Sequence, residues 1–172
     1  MTVKHKSLYL FLTLACFVGI ILIFIFDGYM GVYDSLVMDS GPYSRATVNT
    51  DQWAEEFGFI GTGAERGSRV DFTYTVENHR FSRYSTTVEA SAWYGAAKLK
   101  DLTNQALTVG PFGKGEVKWS LDTAELIPAD YPAGQSYNLD VVIVNGDIER
   151  RVQVFINPSP AGIKVVPAPA RQ

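Results

Sequence analysis

The residues that could carry out chemistry are few. His5 and His79 are the two histidines, and Cys16 is the single cysteine. Zinc sites need several Cys or His ligands, and nucleophilic catalysis needs a nucleophile beside a base. Cys16 lies inside an uncharged apolar run, and no G-x-S-x-G motif accompanies His79. The sequence therefore predicts no metal site, no cofactor and no catalytic centre, and we expect that the protein is not an enzyme.

A glycine-rich stretch, GPFGKG at 110–115, is similar to part of a phosphate-binding loop. That motif requires G-x-x-x-x-G-K followed by Ser or Thr. Thr108 stands where the first glycine should be, and Gly115 stands where the hydroxyl residue should be. The stretch therefore predicts a hairpin turn. The adjacent carboxylates of Glu55 and Glu56 are predicted to be solvated.

The most basic cluster of the chain is NHRFSRY at 78–84, between two predicted strands. Arg and Tyr are frequent interface anchors, and the loops of β-sandwiches often carry recognition. One interpretation is a contact loop that meets an acidic protein surface or lipid headgroups. The other is a solvated turn with Phe81 packed into the end of the core. The candidate contact residues are His79, Arg80, Phe81, Arg83 and Tyr84.

Charge argues against nucleic acid as a partner. Two of the 15 Lys and Arg residues precede Asp27, and all 18 Asp and Glu residues lie from Asp27 onward. The part after the apolar run therefore has 13 basic against 18 acidic residues, a net charge of −5. No basic stripe is available to displace counterions from phosphates.

The apolar run extends from Leu8 to Phe26, LYLFLTLACFVGIILIFIF. As a helix it would span about 28 Å, which matches a hydrocarbon core of about 30 Å. A cleaved signal peptide would have a shorter apolar region and an A-x-A-like site, and FDGYMGVYD offers none. In a lipoprotein signal, TLAC at 13–16 would carry leucine rather than Thr13. We therefore predict an uncleaved transmembrane helix over 8–26.

The flanks of this helix predict its orientation. Lys4 and Lys6 precede it, whereas Asp27, Asp34 and Asp39 follow it. Because positive charge stays on the cytoplasmic side, residues 1–7 are predicted to be cytoplasmic. The single-pass chain would then place its C-terminal part in the periplasm or outside the cell.

Directly after the run, two glycines alternate with two tyrosines. Tyrosine favours the bilayer border, so the stretch could be a collar that sets the depth of the helix. Glycines allow a close approach of another backbone, so it could instead be a docking surface for a neighbouring membrane protein. The residues are Gly28, Tyr29, Gly31 and Tyr33. Residues 27–67 as a whole are predicted to be a juxtamembrane linker with a possible short helix over 51–57.

From Ser68 onward the hydrophobic period changes to two. Val70, Phe72, Tyr74 and Val76 alternate with polar residues, as do Val117, Trp119 and Leu121. The clearest hairpin surrounds Asn145-Gly146, a sequence typical of type I′ turns. With these two residues as the loop, the predicted pairs are Ile143 with Ile148, Leu139 with Val152, Tyr137 with Val154, and Asp140 with Arg151.

These patterns predict a mainly β fold: one N-terminal transmembrane helix followed by an Ig-like antiparallel β-sandwich over 68–157. The strands VDFTYTVENH at 70–79 and YNLDVVIVNGDIERRVQVFIN at 137–157 resemble bacterial membrane-anchored Ig-like extracellular modules of the CARDB type. The resemblance covers about 90 residues. It implies binding or assembly more often than catalysis. The tail at 158–172 is Pro-rich and predicted to be extended, either free in solvent or lying along a neighbouring protein.

The expected function is that of a non-catalytic accessory or structural subunit of a larger membrane complex, respiratory, photosynthetic or transport-related. The expected partners are integral membrane protein subunits and the lipid bilayer. The alternative is a free-standing cell-surface adhesion or binding module. Purification in mild detergent discriminates between them, because only the first predicts stoichiometric partners.

Overall fold

The computed structural model describes residues 3–41, 44–49, 60–128, 131–132 and 135–157. The chain is mainly β, with one long apolar helix at the N-terminus followed by two packed sheets. The elements in chain order are α1 (Val3–Tyr29), β1 (Val32–Asp39), β2 (Arg45–Asn49), β3 (Gly61–Glu65), β4 (Arg69–Asn78), β5 (Tyr84–Tyr94), β6 (Ala97–Val109), β7 (Lys114–Asp122), α2 (Thr123–Leu126), β8 (Tyr137–Asn145) and β9 (Ile148–Asn157).

The two sheets have the neighbour orders β2-β1-β4-β7 and β3-β9-β8-β5-β6. All the pairings described are antiparallel except that of β3 with β9, which is parallel. The orders β1-β4-β7 and β5-β8-β9 correspond to the A-B-E and C-F-G strands of immunoglobulin-like sandwiches. The predicted Ig-like sandwich is confirmed, with one parallel pair where only antiparallel ones were expected.

The core lies between the sheets. The predicted alternation on β4 is confirmed, since Val70, Phe72, Tyr74 and Val76 are all fully buried. The opposite sheet contributes apolar side chains from β5, β8 and β9 to the same cluster. Because each sheet buries one face and exposes the other, the period of two is clear on the central strands.

Helix α1 is long and apolar enough to cross a membrane over Leu8–Asp27. Its side chains from Leu8 to Phe26 are exposed, apart from the partly exposed Gly19, and none is buried against the sandwich. The helix extends beyond the predicted range of 8–26 at both ends. Backbone hydrogen bonding continues into polar flanks, so an apolar run marks the minimum length of such a helix.

The segment at 27–67 is not a linker, because it contains β1, β2 and β3. On β1 the side chains of Leu36 and Met38 are fully buried, whereas that of Val37 between them is partly exposed. That alternation is a strand pattern. The possible helix over 51–57 and the tail at 158–172 lie outside the described residues.

The register of the β8–β9 hairpin differs from the predicted one by two residues. The pairs are Asn145 with Ile148, Val141 with Val152 and Leu139 with Val154. The loop is therefore Gly146-Asp147, with Gly146 at φ +60°, as in turns that take glycine at their first central position. A shift of two keeps every side chain on its predicted face.

The cause of this shift is the side chain of Asn145. It is buried and hydrogen-bonded to the hydroxyl groups of Tyr74 and Tyr84, so it belongs to the strand and not to the turn. The expected pair of Asp140 and Arg151 becomes a diagonal contact at 3.9 Å, and Asp140 accepts a hydrogen bond from Gln153 instead.

Candidate functional site

Two loops meet at the end of the sandwich that adjoins α1, and a buried asparagine joins them. Asn78 is fully buried at the end of β4. Its Nδ2 donates to the carbonyl oxygens of Ser82, at 2.8 Å, and Gly110, at 3.0 Å. Its Oδ1 accepts from the backbone N–H of Arg80 at 3.1 Å. The loops 79–83 and 110–113 are therefore held in one arrangement, and we call this region the helix-proximal end.

The loop 79–83 is hydrogen-bonded to the last turns of α1. Asp27 Oδ1 accepts from the backbone N–H groups of Phe81 and Ser82, and its Oδ2 accepts from Ser82 Oγ at 2.6 Å. Arg80 Nε donates to the carbonyl oxygen of Met30 at 3.1 Å. Hydrogen bonds to ionised groups are the stronger ones. The helix and the sandwich are thus joined by a set of contacts as well as by the chain.

Several predicted contact residues contact one another. The rings of Tyr33 and His79 lie edge to face, with centroids 4.9 Å apart. A Cβ added at Gly31 would lie 3.2 Å from the Tyr33 ring, and the carbonyl oxygen of Gly31 accepts from the His79 N–H at 3.2 Å. Gly31 therefore packs against this chain's own tyrosine. Gly28 and Tyr29 lie in the last turn of α1.

The remaining predicted contact residues of the loop differ in where their side chains lie. The Tyr84 hydroxyl points inward, where it donates to Asn145 at 3.1 Å, whereas Arg83 is exposed. Phe81 is not packed into the end of the core, because 42% of it is exposed. Its ring contacts that of Phe112 edge to face, with centroids 4.8 Å apart. Phe112 is 58% exposed and has φ +51°, a conformation that bulky residues rarely adopt.

A charged pair lies deeper, between the two sheets. Arg150 on β9 contacts the buried carboxylate of Asp34 on β1 through two bonds, Nε to Oδ2 at 3.0 Å and Nη2 to Oδ1 at 3.1 Å. Tyr74 donates to Asp34 at 2.7 Å, and Asn145 donates to the Tyr74 hydroxyl at 3.2 Å. Such a fork-like pair is geometrically specific, so it fixes how one sheet sits on the other.

Burial raises the pKa of the Tyr74 hydroxyl, and the charge of Asp34 and the hydrogen bond to it raise the pKa further. The folded chain therefore holds this proton to higher pH than the unfolded chain does. The stability that Tyr74 contributes is fully present below its ordinary pKa of 10.0 and is lost as the pH rises above that value.

We expect Tyr74→Phe to reduce the alkaline loss of stability. The free energy of unfolding, measured by denaturant titration between about pH 8 and 11, should fall less steeply in the variant because its phenyl ring cannot ionise. Thr73→Ala, on the outward face of β4, carries no titratable group and is the control that should leave the slope unchanged. Equal slopes for wild type and Tyr74→Phe would contradict the assignment.

We expect Asn78→Ala to destabilise the protein by about 2–4 kcal/mol, because it leaves two carbonyl oxygens and one N–H without their partner. Thermal or denaturant unfolding in detergent measures this. The control is Asn104→Ala on β6, whose exposed amide donates to Glu89 at 3.2 Å and should change stability by less than about 0.5 kcal/mol. An equal effect of the two changes would contradict the bracing role of Asn78.

A shallow depression also lies at the helix-proximal end, lined by Glu77, His79, Phe112 and Lys114. The Glu77 carboxylate lies 3.3 Å from Lys114 Nζ and 3.7 Å from His79 Nε2. The contact between Glu77 and Lys114 is an exposed ion pair, which contributes little to stability. Within the described part of the chain, no group of three or more metal-ligating side chains is present.

Sequence reasoning missed five residues of this region: Asp27, Asn78 as a bracing side chain, Phe112, and the paired Asp34 and Arg150. The sequence does contain one signal for Phe112, because a phenylalanine between turn glycines has no strand neighbour to pack against. Asp27 gave another, because it is the first charge after the apolar run. The Asp34–Arg150 pair joins residues 116 positions apart, and no local pattern reports it.

Comparisons with known proteins identify a shared architecture at most. No family model matches the sequence, and no curated protein sequence matches it. Among solved structures, the β-glucosidase from Listeria innocua in complex with glucose has a TM-score of 0.46 and 9% identity, over 75% of this chain and 16% of that one. The alkylpurine DNA glycosylase AlkC from Pseudomonas fluorescens has a TM-score of 0.42 and 14% identity, over 55% and 27%.

The periplasmic chaperone SfaE has a TM-score of 0.40 and 16% identity, over 64% of this chain and 58% of that one. The chain thus spans less than two thirds of each of these three structures, and 27% and 16% of the two enzymes. At these scores the likenesses carry no argument about function. The fold defines the class: an Ig-like β-sandwich protein with one N-terminal helix that is long enough to span a membrane.

Proposed function

We propose that this protein is a non-catalytic subunit of a membrane complex, anchored by α1 and carrying its sandwich on the outer side of the membrane. The observation that carries the proposal is the connection between helix and domain. Only Met30 and Gly31 separate α1 from β1, and Asp27 and Arg80 add hydrogen bonds across the junction. The sandwich therefore has no stalk and stays beside the point where the helix leaves the bilayer.

A domain held in this way suits contact with neighbours in the same membrane. A module that captures distant soluble targets gains reach from a flexible linker, since the range of such a linker grows with its length. Here the exposed apolar surface of α1 and the fixed position of the sandwich together offer one continuous surface. Integral membrane proteins that share the bilayer are the partners that can meet both parts at once.

A linker insertion tests whether partner binding needs the sandwich to be held close to the end of α1. We expect that insertion of a Gly/Ser segment of about ten residues between Met30 and Gly31 releases the protein from its partners during purification in mild detergent. The same insertion after Asn157, beyond β9, is the control and should leave the partners bound. Wild-type protein that purifies alone, or full retention of partners with the first insertion, would refute the proposal.

One observation favours a second candidate, a surface-binding module. Tyr94, at the end of the sandwich away from α1, is 45% exposed and lies stacked on Tyr137 with ring centroids 4.5 Å apart. An exposed ring of this kind could contact a protein or glycan. In the purification test this candidate predicts a protein that runs alone, and loss of its binding with Tyr94→Ala.

The outward orientation gives a further expected result. Lys4 and Lys6 should hold the N-terminus in the cytoplasm, so a reporter that is active only outside the cytoplasm should be active when fused after Gln172. Exchange of both lysines for glutamate, with two lysines added after Asp27, is the matched reversal and should lower the reporter signal. Cytoplasmic activity of the wild-type fusion would overturn the orientation.

A further inference from the structure

The exposed aromatic pair at the helix-proximal end has a defined height relative to α1. The apolar segment Leu8–Asp27 has 20 residues. At 1.5 Å per residue it is about 30 Å long, the thickness of the hydrocarbon core. Asp27 therefore marks the border between acyl chains and headgroups once α1 spans a bilayer. The N–H groups of Phe81 and Ser82 bind the Asp27 carboxylate, so their loop lies at that border.

Phe81 and Phe112 form the apolar part of this end. Their rings contact each other and remain 42% and 58% exposed. The backbone N–H of Phe112 donates to the carbonyl oxygen of Arg80, which joins the second loop to the one that binds Asp27. Both rings are thus fixed to the same end of the helix, and aromatic rings are enriched at the membrane–water border.

The backbone of Phe112 is a second, independent observation. Among the described residues, it is the one non-glycine residue with positive φ, at +51°. Glycine or asparagine adopts this conformation at little cost, whereas a bulky side chain there is strained. A phenylalanine that is both strained and exposed contributes little to the fold. Strain of this kind is retained where the side chain has a function.

The charges around the rings suit a headgroup layer. Arg80, Arg83 and Lys114 lie within two positions of one or the other phenylalanine in the sequence, in a domain whose net charge is negative. Long basic side chains keep their charged ends near phosphates while their stems lie along apolar surface. The two rings are therefore accompanied by basic groups of the kind that can bind lipid phosphates.

We propose that Phe81 and Phe112 insert into the outer leaflet of the lipid bilayer and hold the sandwich on the membrane surface. This inference rests on the proposed insertion of α1 but needs no protein partner. The occupant of the surface is lipid. The rings carry the contact, so it forms on zwitterionic as well as anionic membranes.

The experiment measures depth with a nitroxide label on the full chain in phosphatidylcholine vesicles. In a Cys16→Ser background, Gly110→Cys carries the label, because a Cβ at Gly110 meets no atom within 4 Å. Tyr94→Cys carries it at the opposite end of the domain. The ratio of oxygen to water-soluble nickel collision rates should be several-fold higher at position 110 than at position 94.

Removal of the rings gives the deciding comparison. In Phe81→Ser with Phe112→Asn, the ratio at position 110 should fall clearly towards the value at position 94. Phe112→Asn alone should not lower the melting temperature in detergent, since asparagine tolerates the left-handed backbone. An equal ratio at positions 110 and 94, no change on removal of the rings, or a high ratio only when phosphatidylglycerol is added would each overturn the inference.

A nitroxide label on the native Cys16, which is exposed on α1, shows whether a negative result concerns only the lipid contact of the two rings or also the membrane insertion of α1. A deep position of Cys16 with an aqueous position 110 overturns the lipid contact alone and leaves the proposed function standing. An aqueous Cys16 overturns both, because α1 would then not span the bilayer.

Discussion

Trp119→Ala is expected to lower the free energy of unfolding by about 3–5 kcal/mol, the range for removal of a large aromatic side chain from a core. Trp119 on β7 is 8% exposed and lies stacked on Phe72 of β4, with ring centroids 5.4 Å apart and planes 5° from parallel. Its indole N–H has no hydrogen-bond partner within the described residues. The loss therefore measures apolar packing, without a hydrogen-bond contribution.

Denaturant unfolding of the full chain in detergent measures this effect. Lys118→Ala is the control on the same strand, because its side chain points away from the core and is 67% exposed. That change should alter the free energy of unfolding by less than about 0.5 kcal/mol. Similar losses for the two variants would mean that the faces of β7 are assigned the wrong way round.

The parts of the fold that could be predicted are those in which one face of a strand is buried. On β4, β7, β8 and β9 this produces a period of two in the sequence. Strand β6 spans Ala97–Val109, but almost all of its side chains are exposed and show no alternation, so the sequence pattern does not predict it. An exposed strand at the edge of a sheet is specified mainly by its neighbour.

Strands β1 and β3 could not be predicted from the sequence, for two other reasons. Strand β3 reads GTGAE, with two glycines and a single apolar side chain, so its composition is untypical of a strand. Strand β1 buries Asp34 on its inner face, where the pattern would call for an apolar residue. The carboxylate can lie there because Arg150 and Tyr74 meet it, and these partners come from distant parts of the sequence.

The candidate site could be predicted as a region but not as an arrangement. The loop at 78–84 was recognised by its Arg, His and aromatic content. Its contact with α1 depends on Asp27, 54 residues away from Phe81, and its link to the neighbouring loop depends on Asn78. Hydrogen bonds over such separations follow from the packing of the two sheets and leave no local pattern in the sequence.

The second large effect is expected from Arg150→Ala, which should lower the free energy of unfolding by about 3–5 kcal/mol. Asp34 is buried, and Arg150 supplies its bidentate cation at 3.0 and 3.1 Å. Without the guanidinium, the carboxylate stays between the sheets and loses the charge that Arg150 supplies. A buried charge without its partner is strongly destabilising, even where the intact pair itself contributes little.

Two variants decide whether charge or volume causes this loss. Arg151→Ala, the next residue on β9, removes an exposed guanidinium whose nearest carboxylates lie at 3.7 and 3.9 Å, and should change the free energy of unfolding by less than about 1 kcal/mol. Asp34→Leu combined with Arg150→Met removes both charges but keeps the volume, while Asn145 still donates to Tyr74. This double variant should recover most of the stability lost in Arg150→Ala, because the two effects are coupled through one contact. A loss in the double variant as large as in Arg150→Ala would show that the pair acts by shape and hydrogen bonding, and that charge compensation is not what holds the two sheets in place.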